Sequence, residues 1–446
     1  MFEPDQCAVV TPDPTEASES DTDPFDSARQ FLALPRDVFV LSIAMFAFSL
    51  AFQMTFRYVP EYMRVLGVGP LVVGLYKSVG DLVGAAYPYP GGAISDRAGS
   101  RYALTLFGVA SAVGFGIWLL APELTIAVGP VTAPWWLWVF VGLAFAQAWK
   151  SLGLGATFAI VKQSTSPRHL AAGFASTETF RRVGFLLGPL LATALLAATA
   201  SFVVGFQAVL VVAIAFALAA TLLQHRLYDA SEDTIGDSFE GIGSVRADLR
   251  ALPDPLGPLL VGDTLVRFGN GMVYAFVIFV ITDIWVLRAT VLGIDLGPAA
   301  FFGVLLAIEM AVALVSMYPV ARLAERTGLK PVVAVGFVVY AVFPILLINA
   351  PQDPLIVAAL FAFSGLRFAG LPAHKAMIVG PAQADTGGRV TGTYYLVRNT
   401  ATIPSGVVGG LLYGLDPTLA FSVATVVGLL GTGLFLVFGE EFAAYA

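Results

Sequence analysis

The sequence predicts an all-α membrane protein, with twelve transmembrane helices arranged as two pseudo-symmetric six-helix bundles. Three observations predict it. Of 446 residues, 57% are apolar and 12% charged, where soluble domains run near roughly 45–50% and 25%. Apolar runs of membrane-spanning length recur from end to end. The second half also repeats polar positions of the first. Disordered and collagen-like classes are excluded by the same composition.

Residues 1–36 read as a disordered, acidic cytoplasmic tail, with Glu3, Asp5, Asp13, Glu16, Glu19, Asp21, Asp23 and Asp26 set among Pro, Ser and Thr. Such a segment buries too little apolar surface to fold. It is acidic where a secretory signal is basic, so the first apolar run is expected to stay in place. A hydrocarbon core of about 30 Å takes about 20 helical residues. Spans are expected near 38–59, 71–94, 102–122, 135–161, 170–198 and 203–223, forming an N-terminal bundle over 37–224. The polar stretch 225–256 reads as a cytoplasmic linker. Spans near 257–282, 298–320, 331–350, 355–379, 388–414 and 417–439 follow in a C-terminal bundle over 257–440, with a tail at 441–446.

Basic loops resist translocation. With the N-terminus cytoplasmic, Arg29, Arg36, Arg97, Arg101, Lys162, Arg168, Arg226, Arg246, Arg250, Arg322, Arg326, Lys330 and Arg389 fall inside, and only Arg64 and Arg288 fall outside. A cell-membrane protein with both termini cytoplasmic is expected, embedded in the lipid bilayer and monomeric.

Enzyme chemistry finds no constellation. Cys7 is the single cysteine, and His169, His225 and His374 have no metal-ligand spacing. No nucleophile elbow or phosphate loop occurs, so no cofactor, metal or nucleic-acid partner is expected. Gly67-Val68-Gly69 and Gly269-Asn270-Gly271 read as loop or helix-packing glycines.

At an offset of 229 residues, Gly74 falls on Gly303, Tyr89-Pro90 on Tyr318-Pro319, Asp96-Arg97 on Glu325-Arg326, Gly99 on Gly328 and Arg101 on Lys330. Duplicated halves point to a transporter whose site lies between them near the midplane. The segment Gly92-Ala-Ile-Ser-Asp96-Arg97-Ala-Gly99-Ser-Arg101 resembles the loop signature GxxxDRxGxR of the major facilitator superfamily. Its second copy, Ala321 to Lys330, carries Glu325, Arg326 and Gly328 and has lost the first glycine. Gly92 and Gly99 are expected to allow close packing and a tight turn, and Asp96 to accept from a neighbouring helix N-terminus as a latch. Gly184-Phe-Leu-Leu-Gly188-Pro189 is similar to part of the antiporter signature of proton-driven exporters.

Charges inside the spans carry the functional reading. Arg57, Lys77, Lys150, Arg181, Arg182, Arg267, Arg367, Lys375 and Arg398 face only Asp81, Glu178, Asp263 and Glu309. Each such charge costs on the order of 2.5–3.5 kcal/mol to insert, so it should face a partner or a water-filled cavity. Asp263, Arg267, Asn270 and Tyr274 lie at i, i+4, i+7 and i+11, one stripe of span seven. Arg367 and His374 share a face of span ten, Gln53 and Arg57 one of span one, and span four adds Gln147 and Lys150. The resemblance implies that helices one, four, seven and ten line a central cavity, which these cations would make anion-attracting. It also implies that helix two packs on eleven and five on eight. Asp81 is therefore expected to meet Arg398, and Glu309 to meet Arg181 or Arg182, as pairs between bundles, with Glu178 beside them. A carboxylate among these is the candidate proton carrier. The plainer structural reading is that Asp263 and Arg267 neutralise each other and His374 is a core residue.

The expected function is secondary active transport by alternating access. The substrate would be a small polar anionic organic molecule and the coupling ion a proton. Proton-driven efflux of lipophilic drugs and a non-transporting membrane sensor on the same fold are the alternatives.

Overall fold

The computed structural model describes residues 35–124, 126–128, 131–165, 170–229, 253–380 and 387–441. The acidic tail to residue 34, linker residues 230–252, His169 and the final residues 442–446 lie outside them. Among the described residues, nine helices are long and apolar enough to cross a membrane. A further pair, Leu256–Val273 with Val277–Ile284, bends by 44°. The other two expected spans are rods cut in two. Span two is Pro70–Ala86 followed by Pro88–Ala98, and span eleven is Gly387–Thr402 followed by Ser405–Leu415. Pro88 and Pro404 stand at the cuts, where a missing N–H and a bulky ring interrupt the hydrogen-bond ladder.

Helices outrun the apolar segments that announce them. Span eight continues to Thr327 and span two to Ala98, because helical hydrogen bonding persists through charged turns beyond the hydrocarbon. Two antiparallel hairpins were not anticipated: Ile126–Val128 with Val131–Ala133, and Ala289–Val291 with Ile294–Leu296. Strands of three residues are too short to show an alternating pattern. The second hairpin turns on Leu292 and Gly293, with φ of 51° and 79°.

In the first half, span one packs on spans five and six, and span three on four and six. In the second, span twelve packs on seven and nine, and eight on ten. The halves meet where span two lies against eleven and five against eight. Small residues permit the first of these seams. A Cβ on Gly74 would overlap the Gly406 carbonyl, one on Gly406 would meet Gly74, and one on Gly410 would stand 2.7 Å from the Pro70 carbonyl. Span five joins eight through Thr193 Oγ1, which donates to the Ala300 carbonyl at 2.9 Å. Tyr58 meets Phe302 edge-on at 5.8 Å, and Arg64 pairs with Asp283 at 2.7 Å. All of these contacts sit at the end of the bundle marked by Val65, Pro70, Ala197 and Leu415.

Both copies of the loop motif turn on a glycine at positive φ, Gly99 at 79° and Gly328 at 90°, a region side chains rarely adopt. Arg101 Nε donates to the His225 carbonyl at 2.8 Å, tying span three to the end of span six. Arg97, Glu325 and Arg326 are exposed, and Asp96 is half-buried. The packing glycine is Gly91 and not Gly92. A Cβ on Gly91 would overlap the Leu152 backbone, whereas one on Gly92 meets nothing within 4 Å.

The Gly74→Ala variant should therefore be destabilised by about 1–3 kcal/mol, read as a lower melting temperature in detergent. Gly414→Ala, with nothing within 4 Å of its added carbon, should melt like the parent. Equal melting of the two variants would contradict the close seam.

Candidate functional site

Four helices lose regular geometry at the positions that carry site residues. Span one stops at Thr55 and restarts at Val59 with Pro60 in its first turn, leaving Arg57 in the break. Pro60 has no N–H for the Phe56 carbonyl, so the ladder opens there. Span four passes through a π-helical turn, Ala148–Leu152, that holds Lys150. Span seven breaks after Val273 and presents Tyr274. Span ten narrows to a 3₁₀ turn, Leu366–Phe368, around Arg367, and restarts at Leu371 with Pro372 behind it. Non-helical backbone at membrane depth is tolerated only where it lines a cavity or is covered by protein, and π-bulges cluster at functional sites.

Between the halves lies a cavity of about 360 Å3, walled by residues of spans one, two, four, seven and eleven. Gln53, Arg57, Gln147, Lys150, Arg267, Asn270 and Tyr274 all line it. So do Lys77, Asp81, Arg398, Asn399 and Thr402, with Phe52, Phe56 and Tyr76 supplying apolar wall. Five cationic side chains thus face one carboxylate, Asp81.

The way these charges are balanced decides what the cavity can hold. Lys77 pairs with Asp81 one turn along its own helix. Arg267 Nε and Arg398 Nη1 share Asp263, at 3.2 and 3.0 Å. Asp263 is fully buried behind the wall and also accepts from Tyr394 Oη at 3.1 Å. His374 Nε2 stands 3.3 Å from the same carboxylate, outside hydrogen-bond geometry. Arg267 Nη1 donates to Tyr340 Oη at 2.9 Å. Arg57 and Lys150 are left. Neither has a carboxylate within ion-pair distance among the described residues. Arg57, 8% exposed, lies 4.0 Å over the ring of Tyr274. Lys150 is exposed to the cavity and approaches the Phe52 ring at 5.9 Å.

A side chamber of about 210 Å3 shares Gln53, Arg57 and Tyr274 with the main cavity and extends between spans five, eight and ten. Arg367 lines this chamber and not the main one, and His374 lines only a small void beside Arg267 and Arg367.

The ion pairs expected between the halves form differently. Asp81 meets Lys77 and not Arg398, because the two already stand at i, i+4. Glu178 takes both Arg181, at 2.7 Å, and Arg182, at 3.0 Å, from its own helix. Glu309 therefore turns to Arg367 at 2.6 Å and to Ser364 Oγ at 2.6 Å, within its own half. Among the described residues, the ion pair that joins the halves is Arg64 with Asp283, of which Arg64 counted in the sequence only as an outer-loop charge. Tyr340, Tyr394 and Asn399 escaped the sequence reading because an isolated aromatic or amide in an apolar helix leaves no periodic signal. The Arg398-Asn399 pair, two strongly polar neighbours in a span, was the one available hint.

Residues 7–129 match the family model described as Major Facilitator Superfamily. Solved structures with the same fold include the nucleoside transporter NupG, at 13% identity and a TM-score of 0.69 over 90% of this chain and 98% of that one. A POT family transporter in complex with 5-aminolevulinic acid aligns at 13% identity and 0.71, over 92% and 99%. The peptide transporter POT in complex with sulfate aligns at 15% and 0.67, over 93% and 99%. At such identities the likeness speaks for the fold. A sequence comparison with curated proteins finds no match. Taken with the apolar helices, the bundle is that of a multi-pass membrane protein. The chain is thus similar to the major facilitator superfamily over residues 7–129 and shares the fold of these solved transporters over about nine-tenths of its length.

Asp263→Asn should strip two cavity-facing guanidiniums of their shared counter-charge. Removing one partner of a buried pair costs about 3–5 kcal/mol, which should appear as a clear fall in melting temperature. Adding Arg398→Gln to it should restore part of the loss. No fall, or no recovery in the double variant, would contradict the arrangement.

Proposed function

We propose that this transporter moves a small organic anion by alternating access, with Lys150 and Arg57 as the primary anion contacts. The observation that carries this reading is that both cations lie at the central cavity with no carboxylate partner among the described residues. A charge held in a low-dielectric site without a counter-charge is expensive, and an anionic solute supplies the missing half. Arg267 and Arg398 add positive potential while each is only partly neutralised by one shared Asp263. The walls of Phe52, Phe56, Tyr76 and Tyr274 suit a solute with an apolar or planar body.

The contacts between halves gather at the end holding Arg64 and Asp283, so the cavity would open toward the end holding the loop-motif turns. If the termini are cytoplasmic, as the basic loops imply, that is the inward-facing state. Transport then requires the glycine seam of spans two and eleven to part while the loop-motif ends close. We assign proton coupling to Glu309. Glu309 is buried, pairs with Arg367 and borders the side chamber beside the cavity.

Purified protein tested by thermal shift should be stabilised by organic anions. Lys150→Gln should weaken that stabilisation at least about tenfold in concentration, the effect of losing one charge-assisted contact. In liposomes the same anions should accumulate down an imposed proton gradient. Glu309→Gln should abolish that accumulation and retain exchange. Stabilisation by cations or lipophilic drugs alone would overturn the anion reading.

A further inference from the structure

The side chamber holds charge that the main cavity does not explain. Arg57 forms its boundary with the main cavity, Arg181, Arg182 and Arg367 line it, and Glu309 is its one carboxylate. Glu309 is already engaged by Arg367 Nη2 and Ser364. Both oxygens of Glu178 are occupied by Arg181, at 2.7 and 2.8 Å, and Arg182 shares one of them. Cations therefore outnumber carboxylates in the chamber even after every pair is formed. Two further observations concern groups that are more than nine-tenths buried. Arg367, 6% exposed, keeps its Nε–H without any hydrogen-bond partner. Arg57 rests on the aromatic faces of Tyr274, at 4.0 Å, and Phe302, at 5.7 Å, and has no carboxylate within ion-pair distance among the described residues. A buried guanidinium donor left unpaired costs about 1–3 kcal/mol or more, and a planar fork of donors matches a carboxylate or phosphoryl group.

Resting on the anion reading above, we propose that the chamber is a second anion subsite and that the transported solute is an organic dianion. One acidic group sits in the main cavity against Lys150. The other enters the side chamber between Arg57 and Arg367, with Arg182 adding positive potential. Tyr274 borders both chambers and lies where the linking part of such a solute must pass. A chamber of about 210 Å3 accepts a carboxylate or a phosphoryl head with its first carbons. The chemistry shared by the two heads is a doubly charged small molecule, and the assay tells them apart.

The test is thermal-shift and competition binding on the full-length protein, using straight-chain monocarboxylates, dicarboxylates of matched length and phosphate monoesters of short hydroxy acids. The dianions should bind at least about tenfold more tightly than a monoanion of equal length, as expected for one added charge-assisted contact. A dicarboxylate optimum identifies a carboxylate in the side chamber, and a phosphate-ester optimum a phosphoryl group. The double variant Arg367→Gln/Glu309→Gln removes that pair as a unit, so no lone buried charge is left behind. In it, dianion affinity should drop to that of the monoanion, with a cooperative melt confirming the fold. Arg182→Gln, whose partner Glu178 keeps Arg181, should lower dianion affinity in the same direction. Equal binding of monoanions and dianions by the parent would overturn this inference and leave the anion reading standing. Absence of binding by any anion would overturn both.

Discussion

A cation buried in a bilayer protein must find a counter-charge, and the arrangement of this protein follows from how unevenly that demand is met. Lys77, Arg181, Arg182, Arg267, Arg367 and Arg398 each have a carboxylate. Among the described residues, Arg57 and Lys150 do not. The protein holds those two in place by other means: the Tyr274 ring under Arg57 and the π-helical turn around Lys150. A site kept positive in the absence of substrate is primed for an anion, because the desolvation cost of its cations was met when the chain folded.

Backbone geometry and charge placement are the same feature viewed twice. Pro60 and Pro372 each remove a hydrogen bond, in spans one and ten, beside the irregular turns that carry Arg57 and Arg367. Span seven bends by 44° and exposes Tyr274 between the two chambers. Regular helices would have turned these side chains along the helix surface. Broken ones aim them across the interface between halves, where irregular backbone is shielded from lipid. The glycine seam of spans two and eleven closes the far end and leaves the centre hollow.

Much of the fold was legible in the sequence, because membrane insertion imposes a strong and repetitive signal: apolar runs of fixed length divided by charged or proline breaks. The turn glycines Gly99 and Gly328 were readable since few other residues adopt their conformation. The polar stripe of Arg267, Asn270 and Tyr274 was readable from helical spacing, and its place at a central cavity from the resemblance. Pairing was not. Asp263 belongs to the same stripe yet lies buried behind the wall, since Arg267 of its own helix and Arg398 and Tyr394 of span eleven converge on it. Glu309 was matched to the wrong arginines because spacing along one helix says nothing of which neighbour stands opposite on another. Gly91 and Gly92 are indistinguishable in sequence and differ only in which one faces Leu152.

The central claim is that a positively charged, water-filled chamber separates the two halves, and the reaction rate of a cysteine placed inside it reads that potential directly. Cys7 is the single native cysteine, so Cys7→Ser with Asn270→Cys offers one thiol on the cavity wall. An anionic methanethiosulfonate should modify it about tenfold faster than a cationic one of similar size, with the ratio shrinking as salt is raised. Faster reaction with the cationic reagent, or no reaction with either, would contradict the account.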